Sequence, residues 1–363
     1  MATYRAIQLK GKGGLDQLEE VELPLEPPKN GEVRIRVRAS GVGATDILKR
    51  TGRYPYRPPF PFVEGYEALG DVDAVGEGVR GFAPGDRVCA LTVYGAWAQY
   101  LTRAAEDFVP VPDGLDDGEA VALVLNYVTA HQMIHRVARM QPGQTALVTG
   151  ANGGVGSALL ELLRVRGVRA LGSASRNAFE LVRSLGGEPI EARTQAVDRA
   201  VHGVLPEGVD VAFDGLGGEP IEARTQAVDR AVRGVLPEGV DVAFDGLGGA
   251  GTWACVRATK RDGLVVGYGF VATDGTLDVL RGFAALFLGA RLAGRRGAFY
   301  GITALYRKDK RPFKEDLPKL FALLRTRQLQ PRIAARLPLL AGREAERRLE
   351  AGGVAGKIVL LAG

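Results

Sequence analysis

Hydrophobic and polar positions alternate in short runs over the first 122 residues of the chain. Residues 32–40 (EVRIRVRAS), 68–76 (ALGDVDAVG) and 86–93 (DRVCALTV) have the two-residue period of half-buried β-strands, and Gly, Pro and Asp separate them. Residues 44–52 (ATDILKRTG) have helical spacing instead. The period becomes helical again over 110–144, which ends in a Pro-Gly turn. The pattern predicts a β-rich first part followed by a helix.

From Thr145 onward, short apolar strands alternate with helices of about ten residues. The first strand reads TALVTGA and the first helix SALLELLRVRG, and the alternation continues with ALGSAS and NAFELVRSLGG. Such alternation predicts an α/β fold, a parallel sheet covered by helices on both faces. We also predict a helix over 252–263 and a strand over 264–270, while 333–363 reads as strand, helix and strand. The apolar run 279–294 contains Arg281 and Arg291 and is predicted to be a buried helix, not a membrane span.

One 31-residue unit occurs twice in succession, over 185–215 and 216–246, and differs only by Arg233 in place of His202. Each copy is predicted to form a strand, a helix and a second strand. A doubly wound sheet contains such a segment only once between its third and fourth strands. Chain continuity places the third strand near 188–192 and the fourth near 240–246. The additional repeat length lies between residues 193 and 224 and contains an extra VDVAFD segment. We expect this segment to form a strand that pairs with the free edge of the third strand. The alternative is a disordered or dimer-docked insertion.

Composition narrows the class of protein. A length of 363 residues, with 46% hydrophobic and 25% charged residues, is typical of a soluble globular protein of two domains. The net charge of +5 is scattered and has no stacking-aromatic or groove-reading motif beside it, so nucleic-acid binding is not expected. Cys89 and Cys255 stand far apart, which excludes a disulfide framework and a thiolate zinc site and favours a reducing, cytoplasmic setting.

A glycine-rich turn between a strand and a helix is the most informative stretch, LVTGANGGVGSALL over 147–160. Glycine at a tight turn allows positive φ, and glycine at the next positions lets backbone amides approach a pyrophosphate and a helix pack close to its strand. The free N–H groups and the dipole of the helix N-terminus favour phosphate. The turn predicts a dinucleotide site made by Gly150, Asn152, Gly153, Gly154, Val155 and Gly156. The alternative is a structural glycine turn.

The residues after the second strand indicate which dinucleotide binds. An acid at this position would hold the ribose hydroxyls of NAD. The chain has Ser175 and Arg176 instead, and no acid until Glu180. A hydroxyl and a guanidinium suit a 2′-phosphate, so we expect NADPH. The alternative is that Arg176 is a solvated residue at a helix start.

The order of these parts resembles the medium-chain dehydrogenase/reductase superfamily, and the GANGGVG turn resembles its zinc-independent quinone oxidoreductase branch. The similar segments cover nearly the whole chain: 41–55, 63–88, 95–101, 126–131, 150–156 and 356–362. The resemblance implies a GroES-like β-rich substrate domain over 1–124, an NADPH-binding Rossmann domain over 125–300 that contains the repeat, and a return to the substrate domain over 301–363. It also implies a homodimer.

A zinc ion is not expected. In the zinc-dependent relatives a Cys and a His hold the metal at the positions that correspond to Gly43 and Tyr66, and neither residue here supplies a thiolate or an imidazole. The four-cysteine lobe has no counterpart. His131 and His135 are spaced i, i+4 on a predicted helix, but Gln132 follows His131 where a metalloprotease has its Glu. We interpret both histidines as ordinary helix-face residues.

The resemblance also implies the residues around the nicotinamide. Tyr54 and Asp46 border it, and Thr129 contacts its ribose or amide. Tyr54 is the candidate proton donor, its alternative being a packing role at the cleft edge, and Tyr66 and Tyr94 are weaker candidates. The residues expected beside the cofactor after the fourth and fifth strands are Asp245, Gly246, Gly267 and Tyr268.

Without zinc, a simple ketone loses the Lewis acid that would polarise its oxygen, whereas a quinone or enone delocalises the charge that arrives with a hydride. We therefore expect an NADPH-dependent reductase of quinones or α,β-unsaturated carbonyl compounds. One alternative is an enoyl-thioester reductase of a biosynthetic pathway. Another is a noncatalytic relative that keeps the nucleotide fold, which Gly43 favours because many members of the branch carry Asn there.

Overall fold

The computed structural model of the chain describes residues 2–191, 232–269 and 276–363. These residues form two compact units. The first comprises Met1–Val128 together with Ile302–Gly363, and the second comprises Thr129–Gly301.

The first unit is β-rich. Its first eight strands are β1 (Thr3–Leu9), β2 (Leu18–Pro24), β3 (Glu32–Val42), β4 (Phe62–Val63), β5 (Glu67–Val75), β6 (Arg87–Leu91), β7 (Tyr100–Ala104) and β8 (Phe108–Pro110). The last two strands of the chain, β15 (Ile333–Pro338) and β16 (Lys357–Leu361), also belong to this unit. One sheet has the order β2-β1-β4, and the other has the order β15-β16-β3-β5-β6-β8 with β7 beside β3. Trp97, Ile35 and Val88 are buried in the core between them.

Helices close the ends of these sheets. They are α1 (Ala44–Arg50), α2 (Asp117–Ala122) and the helices Ile302–Lys308, Arg311–Arg325 and Gly342–Glu350. The side chain of Asp116 accepts a hydrogen bond from the backbone N–H of Glu119 and so caps α2. A buried ion pair of 2.6 Å between Arg50 and Glu346 joins α1 to the helix Gly342–Glu350.

The second unit contains a six-stranded sheet in which every described pairing is parallel. Its strands are β9 (Thr145–Val148), β10 (Arg169–Ala174), β11 (Gly187–Glu191), β12 (Val240–Asp245), β13 (Thr259–Gly267) and β14 (Arg296–Phe299). Their order, β11-β10-β9-β12-β13-β14, is the 3-2-1-4-5-6 order of a Rossmann fold. The predicted combination of a β-rich domain and a doubly wound parallel sheet is confirmed.

Three helices of this unit follow the sequence pattern closely. They are α3 (Val128–Gln132), which begins at the last residue of the first unit, α4 (Gly154–Arg166) and α5 (Phe179–Ser184). Gly167 ends α4 in the left-handed conformation at φ 73°, as a glycine after a helix commonly does. π-helical turns, Leu123–Tyr127 and Met133–Val137, lie before and after α3, and the sequence pattern does not predict them.

The predicted helix over 252–263 is wrong in its second half. The helix Ala250–Ala258 ends where β13 begins at Thr259. The hydroxyl of Thr259 donates to the carbonyl of Cys255, and the pairing of β12 with β13 shifts register between Val240 and Val242. Asp262 has φ 61° at this irregularity. The charged residues 260–262, which the sequence pattern assigned to the end of the helix, therefore belong to the irregular first part of strand β13.

The apolar run over 279–294 is helical, but only one of its faces is buried. It spans the helix Thr276–Ala284, the π-helical turn Ala285–Gly289 and the helix Ala290–Leu292. Leu286 is buried, whereas the exposed fractions of Leu280, Leu288 and Leu292 are 58%, 60% and 79%. The prediction of a buried helix holds for one face and is wrong for the other. None of the helices in the described ranges has the length and apolar character that a membrane crossing needs.

The strands at the ends of the repeat lie where chain continuity places them. Among the described strands, β11 lies in the first copy at the sheet edge beside β10, and β12 lies in the second copy between β9 and β13. The proposed additional strand and the disordered or dimer-docked alternative concern residues 193–224, which lie outside the described residues.

Candidate functional site

The four segments predicted to bind the cofactor follow the carboxyl ends of four neighbouring strands. Ser175 follows β10, Thr149 follows β9, Gly246 follows β12 and Tyr268 follows β13. These strands are adjacent and parallel in the order β10-β9-β12-β13, so their carboxyl ends share one edge of the sheet. The chain reverses its direction of winding between β9 and β12, which is where such sheets bind their ligands.

The glycine turn after β9 is open on the outside and tight on the inside. Gly150 has φ 61°, and a Cβ placed on it would meet no atom within 4 Å. The backbone N–H of Gly153 donates to the carbonyl of Gly150 at 2.9 Å, which closes the turn. A Cβ on Gly156 would overlap that same carbonyl oxygen. Gly150 thus leaves space for a ligand, and Gly156 allows α4 to pack against the turn.

The N-terminus of α4 lies at the accessible side of this turn. Gly153 is its N-cap with extended backbone, and no side chain caps the helix. Residues 152–155 are partly exposed, whereas Gly156 is buried. The N–H groups in the first turn of a helix have no acceptor within the helix, and the dipole adds positive potential there. The arrangement of Asn152, Gly154 and Val155 fits the diphosphate of a dinucleotide.

Asp245 shapes the loop after β12 with its side chain. Its carboxylate accepts hydrogen bonds from the N–H groups of Leu247 and Gly248 at 3.0 and 3.2 Å and from the hydroxyl of Thr252 at 2.7 Å. Burial raises the pKa of Asp245, and these donors oppose the rise. The N–H of Gly246 donates to Thr149 Oγ1 at 3.2 Å, which links this loop to the glycine turn.

Gly267 and Tyr268 come next at the same edge. The N–H of Tyr268 donates to the carbonyl of Asp245 at 2.9 Å. A Cβ on Gly246 would lie 2.7 Å from the hydroxyl oxygen of Tyr268, so only glycine fits under this side chain. Gly267 is buried beside Leu286. Burial raises the pKa of Tyr268, which keeps its hydroxyl protonated at neutral pH.

Ser175 and Arg176 start the 3₁₀ turn that follows β10. Ser175 is partly exposed and donates a hydrogen bond to the side-chain oxygen of Asn177. The side chain of Arg176 is exposed. Thr129, the remaining predicted residue of this unit, is only 5% exposed, and its hydroxyl has no hydrogen-bond partner among the described residues. Buried hydroxyl groups are usually hydrogen-bonded, so this one is available to a ligand.

The first unit contains a cluster of three hydroxyl groups, from Tyr54, Tyr66 and Thr303, which we call the hydroxyl cluster. Tyr54 Oη lies 2.5 Å from Tyr66 Oη and 2.7 Å from Thr303 Oγ1, and Tyr66 Oη is also hydrogen-bonded to Thr303 Oγ1. Tyr66 and Thr303 are each 1% exposed, whereas Tyr54 is half-buried. Tyr54 is therefore the only member with access to solvent.

A buried ammonium group lies next to this cluster. Lys49 Nζ is 5.5 Å from the centre of the Tyr66 ring. It donates to the carbonyl of Val93 at 2.8 Å and pairs with Asp46 at 3.0 Å and with Glu64 at 2.5 Å. These partners use all three ammonium protons. They raise the pKa of Lys49 against the effect of its burial, so the side chain stays charged.

The two carboxylates around Lys49 are fully buried. Asp46 accepts a hydrogen bond from the N–H of Gly43 at 2.8 Å with its second oxygen, so both oxygens are engaged inside the first unit. Burial raises the pKa of Glu64 to about 7, although the Lys49 ammonium opposes that rise. The role of Asp46 beside the nicotinamide stays a prediction, and its observed role is to fix Lys49.

The other candidates do not join the hydroxyl cluster. Tyr94 packs edge-on against Phe62, with the ring centres 6.2 Å apart. The rings of His131 and His135 are 4.2 Å apart. Among the described residues, no three or more His, Cys, Asp or Glu side chains are grouped as they would be around a metal ion.

The donors at the position of the family's metal do not fit zinc. Gly43 has no side chain, and the hydroxyl of Tyr66 is hydrogen-bonded to two other hydroxyl groups. The nearby carboxylates of Asp46 and Glu64 are paired with Lys49. Zinc sites need thiolate, imidazole or carboxylate donors that can reach one point, and these residues supply none.

Sequence reasoning missed three residues of the first unit. Thr303 follows Tyr54 by 249 positions and belongs to no motif. Lys49 and Asp46 are spaced i, i+3, which is usual for a solvated helix pair, yet both are buried. Glu64 comes directly before Gly65 and Tyr66. Its position next to the zinc-ligand position of the relatives is the one feature of the sequence that could have indicated a role for Glu64 near the site.

Two families match separate parts of the chain. Residues 29–113 match the alcohol dehydrogenase GroES-like domain, and residues 219–360 match the zinc-binding dehydrogenase family. The chain belongs to the medium-chain dehydrogenase/reductase superfamily. Its relatives place it in the quinone oxidoreductase-like branch, as the resemblance in the sequence predicted.

Curated relatives match over part of their length. The human synaptic vesicle membrane protein VAT-1 homolog-like is 36% identical over 211 residues, which are 58% of this chain and 50% of that protein. Rat quinone oxidoreductase is 33% identical over 215 residues, which are 58% of this chain and 65% of that protein. The chain thus spans about half the length of the VAT-1 homolog-like relative.

Solved structures match over nearly all of both chains. The crystal structure of the human VAT-1 homolog-like protein has a TM-score of 0.78 and 26% identity and covers 100% of this chain and 99% of that one. A mycobacterial protein complexed with NADPH has a TM-score of 0.79 and 25% identity, with 99% coverage of both chains.

Proposed function

We propose that the protein is an NADPH-dependent oxidoreductase that transfers a hydride to a quinone or an α,β-unsaturated carbonyl compound without zinc. The observation that carries this proposal is the open, positive-φ turn at Gly150, which leads into a helix N-terminus whose first N–H groups are accessible. The relatives named quinone oxidoreductase and the similar structure with bound NADPH support it.

The glycine turn would hold the diphosphate. In this arrangement the N–H groups of Gly154, Val155 and Gly156 face the phosphates, and Gly150, Asn152 and Gly153 form the outer wall. Ser175 and Arg176, at the end of the neighbouring strand β10, would bind the 2′-phosphate that distinguishes NADPH from NADH. The exposure of the Arg176 side chain supports this role.

The nicotinamide half would lie further along the same sheet edge. When bound, the reduced nicotinamide supplies the hydride. Gly246, Gly267 and the backbone of Tyr268 would border it, and Asp245 would act by holding their loop in place through Leu247, Gly248 and Thr252. Thr129 would donate its unpartnered buried hydroxyl to the ribose or the amide.

The first unit would supply the proton. Tyr54 is the partly exposed member of the hydroxyl cluster, and its hydroxyl would donate to an oxygen that gains charge in the reaction. Because Gly43 and Tyr66 do not form a zinc site, the substrate has to accommodate that charge itself. Conjugated acceptors do so, which is the reason we favour a quinone or an enone.

We also propose a homodimer in a reducing, cytoplasmic setting. Leu277, Leu280, Phe287, Leu288 and Leu292 are exposed on the helical run that packs against β14, and β14 is an edge strand among the described residues. A second copy of the chain would cover this apolar face and pair with the edge. Cys89 and Cys255 are free and buried, which supports a reducing compartment.

Cofactor titration and a substrate panel test the proposed function together. We expect fluorescence titration to show NADPH binding tighter than NADH, and NADPH oxidation with menadione, phenanthrenequinone, cyclohexenone or cinnamaldehyde. Faster turnover of crotonyl-coenzyme A would identify an enoyl-thioester reductase instead. Tight NADPH binding without turnover of any acceptor would identify a noncatalytic relative, and absence of NADPH binding would refute the proposal.

A further inference from the structure

The hydroxyl cluster has three hydrogens for its three O···O contacts, so its hydrogens can be arranged in more than one way. Each of its three oxygens lies within hydrogen-bond distance of the other two, and each carries one hydrogen. If Tyr66 and Thr303 both donate to Tyr54 Oη, the hydrogen of Tyr54 has no acceptor within the cluster. It then points out of the cluster, and Tyr54 is the one partly exposed residue of the three.

That arrangement satisfies both buried hydroxyl groups, as does a ring in which each hydroxyl donates to the next, and we adopt the first because it leaves the Tyr54 hydrogen available to a substrate. Tyr66 and Thr303 are 1% exposed, so each needs an acceptor inside the protein, and Tyr54 Oη lies within reach of both. Tyr54 is half-buried and can satisfy its own hydrogen outside. In this arrangement the two buried hydroxyl groups donate to Tyr54 Oη, and the hydrogen of the partly exposed Tyr54 stays available.

Burial disfavours a negative charge on Tyr54, and its hydrogen-bond donors and the charge of Lys49 partly offset that effect. Burial raises the pKa of Tyr54, whereas the hydrogen bonds from Thr303 and Tyr66 and the charge of Lys49 lower it. Lys49 cannot turn away, because Val93, Asp46 and Glu64 hold all of its protons. Val93 has φ 67°, an unusual conformation for a β-branched residue, and its carbonyl is one of these partners.

We propose that Tyr66 and Thr303 are positioning residues that direct the Tyr54 hydroxyl outward as the proton donor, and that Lys49 stabilises the phenolate left on Tyr54. This inference rests on the proposed function and deepens it. It assigns a role to the tyrosine that stands where zinc-dependent relatives have a metal ligand, and to a threonine from the opposite end of the first unit's sequence.

The step balances as an ordinary conjugate reduction. The acceptor gains a hydride at its β-carbon from the reduced nicotinamide, and its π electrons move to the carbonyl oxygen. The O–H bond of Tyr54 breaks, its proton passes to the enolate, and its electron pair stays on Tyr54 Oη. The hydroxyl groups of Tyr66 and Thr303 donate to that oxygen until a proton from water restores the phenol.

The groups that can influence this titration are few. Tyr66 and Thr303 are hydrogen-bonded to Tyr54, Lys49 acts on it through its charge, and Asp46 and Glu64 are paired with Lys49. Tyr56 packs edge-on against the ring of Tyr54 with centres 5.9 Å apart and raises the pKa of Tyr54. The guanidinium of Arg307 lies 5.3 Å from the centre of the Tyr56 ring.

The test compares Tyr66→Phe and Thr303→Val with the wild type, using NADPH and cyclohexenone. Each variant removes one donor to Tyr54, so we expect kcat to fall roughly tenfold with little change in KM, since a hydrogen bond to a charged oxygen contributes about that much. Loss of the donor raises the pKa of Tyr54. The decline of kcat at high pH should therefore move up by about one pH unit. Thr303→Ser should restore the wild-type profile.

Tyr306→Phe is the matched control. Tyr306 lies on the same helix as Thr303 and donates to Asp107 at 3.2 Å, outside the hydroxyl cluster, so its removal should leave the pH profile unchanged. An ultraviolet titration of tyrosinate, with Tyr54→Phe as the reference, measures the same shift without cofactor or substrate. It separates the two proposals, because it remains informative if no acceptor turns over. Unshifted Tyr54 ionisation in both Tyr66→Phe and Thr303→Val would overturn the inference.

Discussion

Lys49 and Glu64 form an ion pair of 2.5 Å with neither side chain exposed to solvent. Taking two charges out of water is costly, and their mutual attraction offsets that cost only while both partners are present. Asp46 shares the same ammonium group at 3.0 Å, so one cation balances two buried carboxylates. Lys49 therefore contributes more to the stability of the first unit than a surface lysine usually does.

Replacing Lys49 with Met should lower the free energy of unfolding by about 3–5 kcal/mol, because it leaves two buried carboxylates without a cation. Urea denaturation followed by circular dichroism measures the change. Lys10→Met is the control, since Lys10 pairs with Glu19 on the surface with both side chains about half exposed. That change should cost less than about 1 kcal/mol. Equal losses in the two variants would contradict the prediction.

The same pair predicts a pH dependence of stability. Burial raises the pKa of Glu64 from 4.5 to about 7 in the folded state, so the folded protein holds a proton that the unfolded chain has released. This contribution is fully present below pH 4.5 and is lost as the pH rises through about 7. Stability should fall over this range, and Glu64→Gln should make the fall shallower.

Urea midpoints measured at several values between pH 5 and pH 8 provide the check. Glu106→Gln is a suitable control, because Lys310 holds the pKa of the exposed Glu106 below its usual value. Its contribution is lost only as the pH falls below this range, so the control should leave the slope unchanged. A Glu64→Gln variant as pH-sensitive as the wild type would show that other carboxyl groups dominate.

The sequence predicts the nucleotide side of the candidate site better than the proton-donor side. The strand, glycine turn and helix around Gly150 are local, so neighbouring residues determine them. Chain continuity alone places β11 and β12 at the two ends of the duplicated segment. In contrast, Tyr54 and Thr303 are 249 positions apart, and no local pattern indicates that the fold brings them together.

The helix α1 shows why burial is hard to read from spacing. Asp46 and Lys49 look like an exposed i, i+3 pair, since charged residues are seldom buried. They are buried because Glu64 and the carbonyl of Val93, both distant in sequence, complete the partners of Lys49. The opposite error occurs for the apolar run over 279–294. Its composition predicts burial in a core, but Leu288 and Leu292 are exposed.

Gly156→Ala should disrupt the glycine turn. A Cβ at this position overlaps the carbonyl oxygen of Gly150, so α4 has to move away from the turn. We expect a loss of about 1–3 kcal/mol in stability and weaker NADPH binding, because the helix N–H groups leave the phosphate position. Gly234→Ala is the control, since Gly234 has space for a Cβ and no positive φ. Unchanged NADPH affinity in Gly156→Ala would refute the assigned packing role.

Arg176→Ala should reduce the preference for NADPH over NADH. Removing a charged partner of the 2′-phosphate should weaken NADPH binding roughly tenfold or more and leave NADH binding nearly unchanged. Fluorescence titration with both cofactors measures the ratio. Arg183→Ala removes a surface guanidinium that pairs with Glu180 in the following helix and should preserve the preference. An unaltered ratio in Arg176→Ala would leave Arg176 as a solvated residue at a helix start.

Leu288→Lys should shift the proposed homodimer toward the monomer. The side chain of Leu288 is 60% exposed on the apolar face beside β14, where a second copy would bury it, and a charge there would lose its water on association. Sedimentation velocity over a range of protein concentrations measures the shift. Val165→Lys is the control, because Val165 is 37% exposed on α4, away from that face. A monomeric wild type, or a dimer that Leu288→Lys leaves intact, would show that this face serves another purpose.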